Sequence, residues 1–493
     1  RGDVVARAIE ALNDETRRTN ATVLALHGSL QAIAGKFARA ESLLRRSLAR
    51  AGNDRELIAT ASLRLASVVA NQGGNAAELL RVVGDDPEQS SAHRAEALSL
   101  IAGQRAVAGD FMEARAAVSR LEAILDDVDS DAVRAKALHY VGIAFHHLGE
   151  AERASTVLTQ SADLAAELHL YGVASRANAV LSNLVLHEED DVDGQLRYAE
   201  LAASTATKAG DTFALQTALL QMLSARMRQG DVERSIAVEE RLVAMRTAEL
   251  GLRYLTLFRA VRLAWEGRFG EAQRLVSSCW SHMPFDFDRL LTGGEYALFL
   301  AIDGQREPSI ELSTEILSAL ESAEVTGLFR VRSLATARAL CALTEAINGR
   351  MTLSERALRG VHIGDDKVIA LTVRTVESIV WRLRNRGESA ADKVAEGVEG
   401  LRKLDYADVA RMLSAVDRVL CNSYPELTGS INLTDSEIDV LRLLAEGLIP
   451  KEIAARDGRS VYTIRAHIAN AIAKLECHGR FEAIREARRL GLI

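Results

Sequence analysis

The chain has 493 residues, a formal net charge of −8, and a composition with only 5 prolines and 4% aromatic residues. This composition, rich in Ala, Leu, Arg and Glu, favours α-helices and disfavours a β-sandwich or a barrel. No run of roughly 18 or more apolar residues occurs, so no membrane span is expected. The four scattered cysteines lack the CxxC spacing of zinc sites, which suits the reducing cytoplasm. We therefore expect an all-α cytoplasmic protein.

Glycines recur at intervals of 36 to 45 residues along most of the chain. Many stand in one pattern, in which an apolar helix is followed by Gly, a polar or aromatic residue, an acidic residue and Ala, as in GDFMEARAAV from Gly109. The Gly would end one helix in a left-handed conformation, and the small Ala would let the next helix pack closely. The recurring glycines are Gly35, Gly73, Gly109, Gly149, Gly194, Gly230, Gly267, Gly304, Gly349 and Gly387.

This periodicity predicts a superhelix of stacked helix pairs that resembles tetratricopeptide-like repeats, over residues 1–420. A helical domain without repeats is the alternative. Superhelices of this kind present a concave surface that binds proteins, peptides or small molecules, and they seldom catalyse reactions.

Signals of catalysis are missing from the repeat region. There is no GxSxG or HExxH motif, and the residue after Lys36 is Phe, where a Walker A motif needs Ser or Thr. His139 and His146 share a helix face, but buried or surface histidines explain them better than a metal site does. We expect no enzyme, no cofactor and no metal.

Nine aromatic residues fall between Tyr254 and Phe299, beside a Pro-containing loop from His282 to Gly294. Large rings around such a loop are typical of a ligand pocket or a partner-docking surface. A well-packed core between two repeats is the alternative, and the more usual explanation. The residues of the predicted ligand or partner patch are Tyr254, Phe258, Trp265, Trp280, Phe285, Phe287 and Tyr296.

A segment with Pro, Gly, Ser and Asn, residues 421–432, is predicted to be a linker. Beyond it, residues 433–493 contain 10 Lys and Arg against 9 Asp and Glu, whereas the rest of the chain has 50 against 59. The acidic character therefore belongs to the long N-terminal part. Four short helices are predicted in the tail, the first with the capping-box spacing of Thr434 and Glu437 and the second beginning at Pro450.

The third tail helix is predicted from Val461 to about Leu475, capped by Ser460. Its apolar residues step by three or four and form one buried face, namely Val461, Ile464, Ile468, Ile472 and Leu475. The opposite face carries small and polar residues, namely Tyr462, Ala466, Ala469, Asn470 and Ala473. Such a face with basic flanks suits the DNA major groove, and a small bundle that merely packs is the alternative.

The tail resembles the LuxR-type (GerE-like) helix-turn-helix domain, through Leu433-Thr434, Lys451-Glu452-Ile453-Ala454, Thr463-Ile464, His467-Ile468 and Lys474-Leu475. The resemblance implies that the third helix enters the major groove and that the fourth often forms a dimer contact. Base contacts are then expected at Tyr462, Arg465, Ala466 and Ala469. Phosphate contacts or supporting roles are expected at Lys451, Thr463, Asn470 and Lys474. Ile449 departs from the usual polar cap of the second helix.

Repeats followed by this tail resemble the large MalT-like regulators, in which an ATPase domain precedes the repeats. The chain begins at Arg1 and has no Walker A motif, so that domain is expected to be missing from it or from its variety of the family. We expect a transcriptional regulator that binds double-stranded DNA as a dimer, with repeats that bind an inducer or a protein partner. A repeat scaffold whose tail does not bind DNA productively is the alternative.

Overall fold

The computed structural model describes residues 2–245, 249–283, 286–322, 327–362, 364–385, 390–423, 433–475, 477, 479–489 and 493. Their regular structure is helical throughout. A 3₁₀ turn at Trp280–His282 joins two of the helices. The α-helices, in chain order, are α1 (Gly2–Ala11), α2 (Asp14–Thr19), α3 (Ala21–Ile33), α4 (Phe37–Leu48), α5 (Arg55–Asn71), α6 (Ala77–Gly84), α7 (Ser91–Ala108), α8 (Phe111–Glu122), α9 (Asp131–Leu148), α10 (Ala151–Glu167), α11 (Tyr171–Glu189), α12 (Val192–Ala209), α13 (Thr212–Arg228), α14 (Val232–Ala244), α15 (Glu249–Trp265), α16 (Phe269–Cys279), α17 (Asp286–Ile302), α18 (Arg306–Ser322), α19 (Gly327–Ile347), α20 (Met351–Arg359), α21 (Lys367–Asn385), α22 (Ala391–Lys403), α23 (Ala407–Ser423), α24 (Asp435–Ala445), α25 (Pro450–Asp457), α26 (Val461–Lys474) and α27 (Arg480–Arg489).

The turns between paired helices follow directly from the local sequence. At the end of α7, Gly109 has a φ of 86° and caps the helix in the left-handed conformation. Asp110 then accepts a hydrogen bond from the backbone N–H of Glu113 at 3.2 Å and so caps the start of α8. Phe111 and Ala114 are buried on the side that faces the neighbouring helices. The Gly, the capping acid and the buried Ala together turn the chain back on itself.

The predicted helix-ending role holds for eight of the recurring glycines, which have positive φ: Gly35, Gly73, Gly109, Gly149, Gly230, Gly267, Gly304 and Gly349. It is wrong for Gly194, which lies in the first turn of α12. Asp190, with a φ of 55°, and the N-capping Asp191 make that turn instead. Gly387 lies outside the described residues.

The helices of the repeat region form two rows. Most odd-numbered helices from α3 to α23 contact the next odd-numbered one, and each even-numbered helix from α4 to α22 packs against an odd-numbered neighbour, as α10 does against α9 and α11. The predicted superhelix of helix pairs, with a small four-helix domain after it, is confirmed. None of the described helices is both long and apolar enough to cross a lipid bilayer.

The superhelix brings distant helices together across its interior. Helix α13 contacts α3, α19 contacts α9 and α11, and α23 contacts α13 and α15. Arginines strengthen these contacts by donating to carbonyl oxygens at the C-terminal ends of distant helices, where the backbone leaves acceptors without partners. The pairs are Arg330 with Ala106 and Val107, Arg332 with His187, Arg411 with Gly230, and Arg418 with Trp265.

The predicted linker begins inside a helix. Helix α23 continues to Ser423, so residues 421–423 are helical. Residues 424–432, the rest of the predicted linker, lie outside the described residues. Helix α24 follows from Asp435.

Candidate functional site

The four C-terminal helices enclose a small core of their own. Helix α26 packs against α24, α25 and α27, and α24 also contacts α27. The core contains buried apolar residues from every one of these helices, among them Leu441, Ile453, Ile464 and Ala483. This core fixes the orientation of α26 and leaves its opposite side free of packing.

A capping box and an ion pair join the first and third of these helices. Thr434 Oγ1 accepts from the N–H of Glu437, and the Glu437 carboxylate accepts from the N–H of Thr434 at 2.7 Å. The same carboxylate oxygen lies 2.7 Å from Lys474 Nζ, at the end of α26. Burial raises the pKa of Glu437, but the hydrogen bonds from Lys474 and Thr434 outweigh it, so the pKa lies below its usual value. Glu437 is therefore held ionised beneath α26.

Caps define both ends of α25 and the start of α26. The N–H of Ile449 donates to Glu452 at 2.9 Å, which supplies the half of a capping box that needs no polar side chain at Ile449. Gly458, with a φ of 66°, ends α25. Ser460 then caps α26 by accepting from the N–H of Thr463 at 3.0 Å.

One face of α26 is buried and the other is exposed, as the spacing of its apolar residues predicts. Ile464, Ile468 and Leu475 are buried, and Val461 and Ile472 are half-buried against the same core. Ala471 is also buried, which the apolar spacing does not indicate, because alanine carries a weak hydrophobic signal. The side chain of Tyr462, by contrast, is 84% exposed.

The residues predicted to contact bases lie together on the exposed side of α26. Tyr462, Arg465, Ala466 and Ala469 are all exposed there. Asn470 is exposed beside them. The site is therefore a helix face whose centre is occupied by small side chains, with one arginine beside them.

The residues predicted to contact phosphates occupy different surroundings. Lys451 is exposed in the first turn of α25. Thr463 is half-buried, with its hydroxyl 2.8 Å from that of Ser460, at the start of α26. Lys474 is bound to Glu437, which favours the supporting role over a phosphate contact.

Arg459 is a cation that the sequence reasoning overlooks. It is exposed in the turn between α25 and α26, next to Ser460. Within the described part of the chain, the side chains of Arg459, Lys451 and Arg465 form no hydrogen bond or ion pair. The signal for Arg459 was its position directly before the N-cap of α26, where an arginine side chain can reach past the helix end.

The aromatic patch predicted in the repeat region divides into two groups. Tyr254 and Phe258 line a cavity. Trp265 is buried in the core of the repeats, and the rings of Trp280 and Tyr296 pack against each other at 5.9 Å. Phe285 and the side chain of Phe287 lie outside the described residues.

The cavity lies inside the superhelix and has a volume of about 540 Å³. Its walls come from the odd-numbered helices α11, α13, α15, α17, α19, α21 and α23, together with Tyr406 just before α23. Much of the lining is apolar, and it includes Leu186, Leu257 and Phe258. The volume is within the range of small-molecule sites, roughly 300–1,000 Å³.

Charged groups from distant parts of the chain meet at this cavity. Arg332 pairs with Asp190 at 2.5 Å and with Asp366 at 2.6 Å, and it donates to the hydroxyl of Tyr406 at 3.0 Å. Elsewhere in the lining, the hydroxyl of Tyr254 donates to Asp288 at 2.5 Å. Burial raises the pKa of Asp288, and the hydrogen bond from Tyr254 offsets only part of that rise. Sequence reasoning missed these groups, because residues 190, 332 and 366 are far apart along the chain.

Comparison with known proteins finds a family match in the tail. The family described as "Bacterial regulatory proteins, luxR family" (GerE) matches residues 431–487. The spore germination protein GerE of Bacillus subtilis is 42% identical over 59 residues, which are 12% of this chain and 80% of that protein.

Two longer matches have lower sequence identity. A nitrate/nitrite response regulator protein homolog of Haemophilus influenzae is 27% identical over 146 residues, 28% of this chain and 67% of the relative. The transcriptional regulatory protein LiaR of Bacillus subtilis is 29% identical over 131 residues, 27% of this chain and 60% of the relative.

Among solved structures, a Rap protein complexed with Competence and Sporulation Factor aligns with 86% of this chain and 100% of its own, at 11% identity and a TM-score of 0.38.

Proposed function

Because the chain belongs to the LuxR family of bacterial regulatory proteins, we propose that it regulates transcription by binding double-stranded DNA through α26. The exposed face of α26 carries this proposal. Its alanines allow the helix to approach base edges closely, and their methyl groups match those of thymine. The expectation of a regulator, and not of an enzyme, agrees with membership of this family.

Three exposed cations support the docking of this face of α26 on DNA. Lys451, Arg459 and Arg465 come from α25, the following turn and α26, so they flank the exposed face of α26 on its N-terminal side. In this proposal Arg465 reads a base, and Lys451 and Arg459 neutralise phosphates. Lys474 and Thr463 hold the helix in position, since both are bonded within the domain.

A dimer on DNA is the form that we propose for binding. The tail has nearly equal numbers of basic and acidic residues, so one copy gains little from non-specific attraction to phosphate. Helix α27 supports self-association, since the side chain of its Phe481 is 75% exposed. Two copies would then contact two half-sites about one helical turn apart.

The repeats, we propose, bind a small-molecule inducer or a protein partner and so control the tail. The cavity of about 540 Å³ among the odd-numbered helices supports the inducer. Its walls join helices from α11 to α23, so an occupant that prefers one arrangement of these helices shifts the chain toward that arrangement.

A gel-shift titration of the full chain with genomic DNA fragments tests DNA binding. The variant Ala469→Glu places a negative charge on the exposed face of α26 and should abolish the shift, because a carboxylate there faces the DNA. The variant Ala38→Glu makes the same change of net charge on an exposed position of α4 and should bind like the unaltered chain. Equal binding by both variants would rule out α26 as the reading helix.

A further inference from the structure

We propose that the cavity inside the superhelix binds a small zwitterion with an apolar body, whose ammonium group pairs with Glu295 and Asp408 and whose anionic group pairs with Arg228. An apolar amino acid and a short apolar peptide both have this chemistry. The inference rests on the proposed function, because it names the inducer class of the repeats.

The acidic end of the cavity has two carboxylates without a cation. Glu295 on α17 and Asp408 on α23 both line the cavity. Within the described residues neither forms an ion pair, and Asp408 accepts only from the neighbouring N–H of Val409 at 2.8 Å. Two carboxylates that line the same partly buried space favour a shared cation.

The surroundings of Glu295 also favour a bound cation. Burial in the first place, and then the negative charge of Asp408, raise the pKa of Glu295 to about 7. No cation among the described residues offsets these two effects. An ammonium group between the two carboxylates would do so, and it would also supply up to three hydrogen-bond donors.

A guanidinium group, which would pair with an anion, lines the same cavity. Arg228, the last residue of α13, stacks over the ring of Tyr406 at 4.5 Å. Its Nε and Nη1 atoms are buried and have no hydrogen-bond partner among the described residues. Leaving buried donors without acceptors is costly, and an anionic carboxylate is a strong acceptor for a guanidinium donor. The other arginine of the cavity, Arg332, already pairs with Asp190 and Asp366.

The two charged ends are close enough to act on one group. The charges of both Arg228 and Asp408 bear on the hydroxyl of Tyr406. The rest of the cavity lining is mainly apolar and includes Phe258 and Leu257 on α15. A ligand that has both charges and an apolar body matches this combination of acidic, basic and apolar groups better than a neutral molecule or a simple cation does.

Isothermal titration calorimetry of the full chain without DNA tests the proposal. The probes are L-leucine, trileucine, isoamylamine and 4-methylpentanoate, each up to roughly 10 mM, where weak binding is still measurable. At least one zwitterion should bind about tenfold or more tightly than both single-charge probes, because only the zwitterion pairs with both ends. Leucine and trileucine separate the amino-acid source from the peptide source.

Two variants that each remove one charge locate the charged ends. Glu295→Gln and Arg228→Gln should each weaken binding of the zwitterion by about tenfold or more, and the exposed-site control Glu266→Gln should leave it unchanged. The proposal is overturned if no probe binds, if isoamylamine binds as tightly as the zwitterions, or if Glu295→Gln has no effect. Since DNA is absent from these titrations, their failure leaves DNA binding by α26 to be judged by the gel shifts alone.

Discussion

Arg465 extends from the exposed side of α26 and has no partner within the described part of the chain. An unpaired guanidinium beside a row of alanines can reach a guanine edge with two donors. We therefore propose that Arg465 reads sequence for the domain, whereas the alanines around it set the distance to the bases.

Replacing Arg465 with Ala should weaken binding to a specific site by about 1–3 kcal/mol and relax the preference at one base pair. Fluorescence anisotropy with the specific duplex and with variants at each position would measure both effects. Lys451→Ala is the matched comparison, because it should weaken binding to every duplex alike. Equal losses for Arg465→Ala on specific and random DNA would instead make Arg465 a phosphate contact.

Glu437 is a structural residue of the same domain. It is buried, it caps α24 and it pairs with Lys474, so its charge is fixed by contacts from two helices. Glu437→Gln should destabilise the tail by about 1–3 kcal/mol, because the charged hydrogen bonds are lost in a buried place. Urea unfolding monitored by circular dichroism measures this.

The control for Glu437 is Glu446→Gln, at an exposed position whose pair with Arg456 is worth little. Because the pKa of Glu437 is lowered in the folded chain, its contribution is present above the pKa of the unfolded chain and is lost as the pH falls. A stability difference between Glu437→Gln and the parent chain that does not shrink toward acid pH would contradict this account.

Helix α26 shows which features of an element a sequence can predict. Spacing by three and four residues places Ile464, Ile468 and Leu475 on one face, because the geometry of a helix turns spacing directly into position. The cap at Ser460 follows from the same local rules. The pairing of Lys474 with Glu437 joins two helices, and it depends on how α26 crosses α24, which no local pattern specifies.

Helices α9 and α11 contain three buried histidines, His139, His146 and His187, and the half-buried His147. The pKa values of all four lie below the usual 6.5, in each case chiefly because of desolvation. For His139 the pKa falls to about 3. A lowered pKa means that the folded chain binds fewer protons than the unfolded chain, so stability is present above pH 6.5 and is lost as the pH falls below it.

Each such histidine should lower the free energy of unfolding by about 1.4 kcal/mol when the pH falls from about 7.5 to about 5.5. In His139→Gln, the loss of stability over this interval should be smaller than in the parent chain by that amount. His362→Gln, at an exposed position, should lose as much as the parent. Urea midpoints at the two pH values give the comparison, and identical losses in all three proteins would show that His139 is protonated freely in the folded chain.

At the scale of the whole molecule, the superhelix determines which features can be predicted from the sequence. The recurring glycines predict helix pairs, since each repeat is a local unit. The cavity was not predictable in the same way, because Arg228, Glu295 and Asp408 stand on helices that only the pitch of the superhelix brings together. The cluster of aromatic residues in the sequence includes Tyr254 and Phe258, which line that cavity, and also Trp265, which is buried in the core.

The acidic repeats and the cations around α26 suggest how the two parts act on each other. Residues 1–432 have 50 basic against 59 acidic side chains, and we expect this excess of negative charge to compete with DNA for Lys451, Arg459 and Arg465. Removing residues 1–423 should therefore raise DNA affinity at low salt, with a gain that shrinks as salt screens the charges. Anisotropy titrations at several salt concentrations measure the gain. If the isolated tail binds no better than the full chain at any salt, the repeats do not act as an electrostatic brake.

We propose that the chain recognises DNA sequence as a dimer through α26. The most direct test is to capture duplexes from a random-sequence pool with the full chain and to sequence what is retained. We expect one enriched motif with two-fold symmetry and half-sites about one helical turn apart. We also expect Ala469→Glu to enrich nothing. Retained sequences without any shared motif, or the same motif from Ala469→Glu, would contradict this proposal.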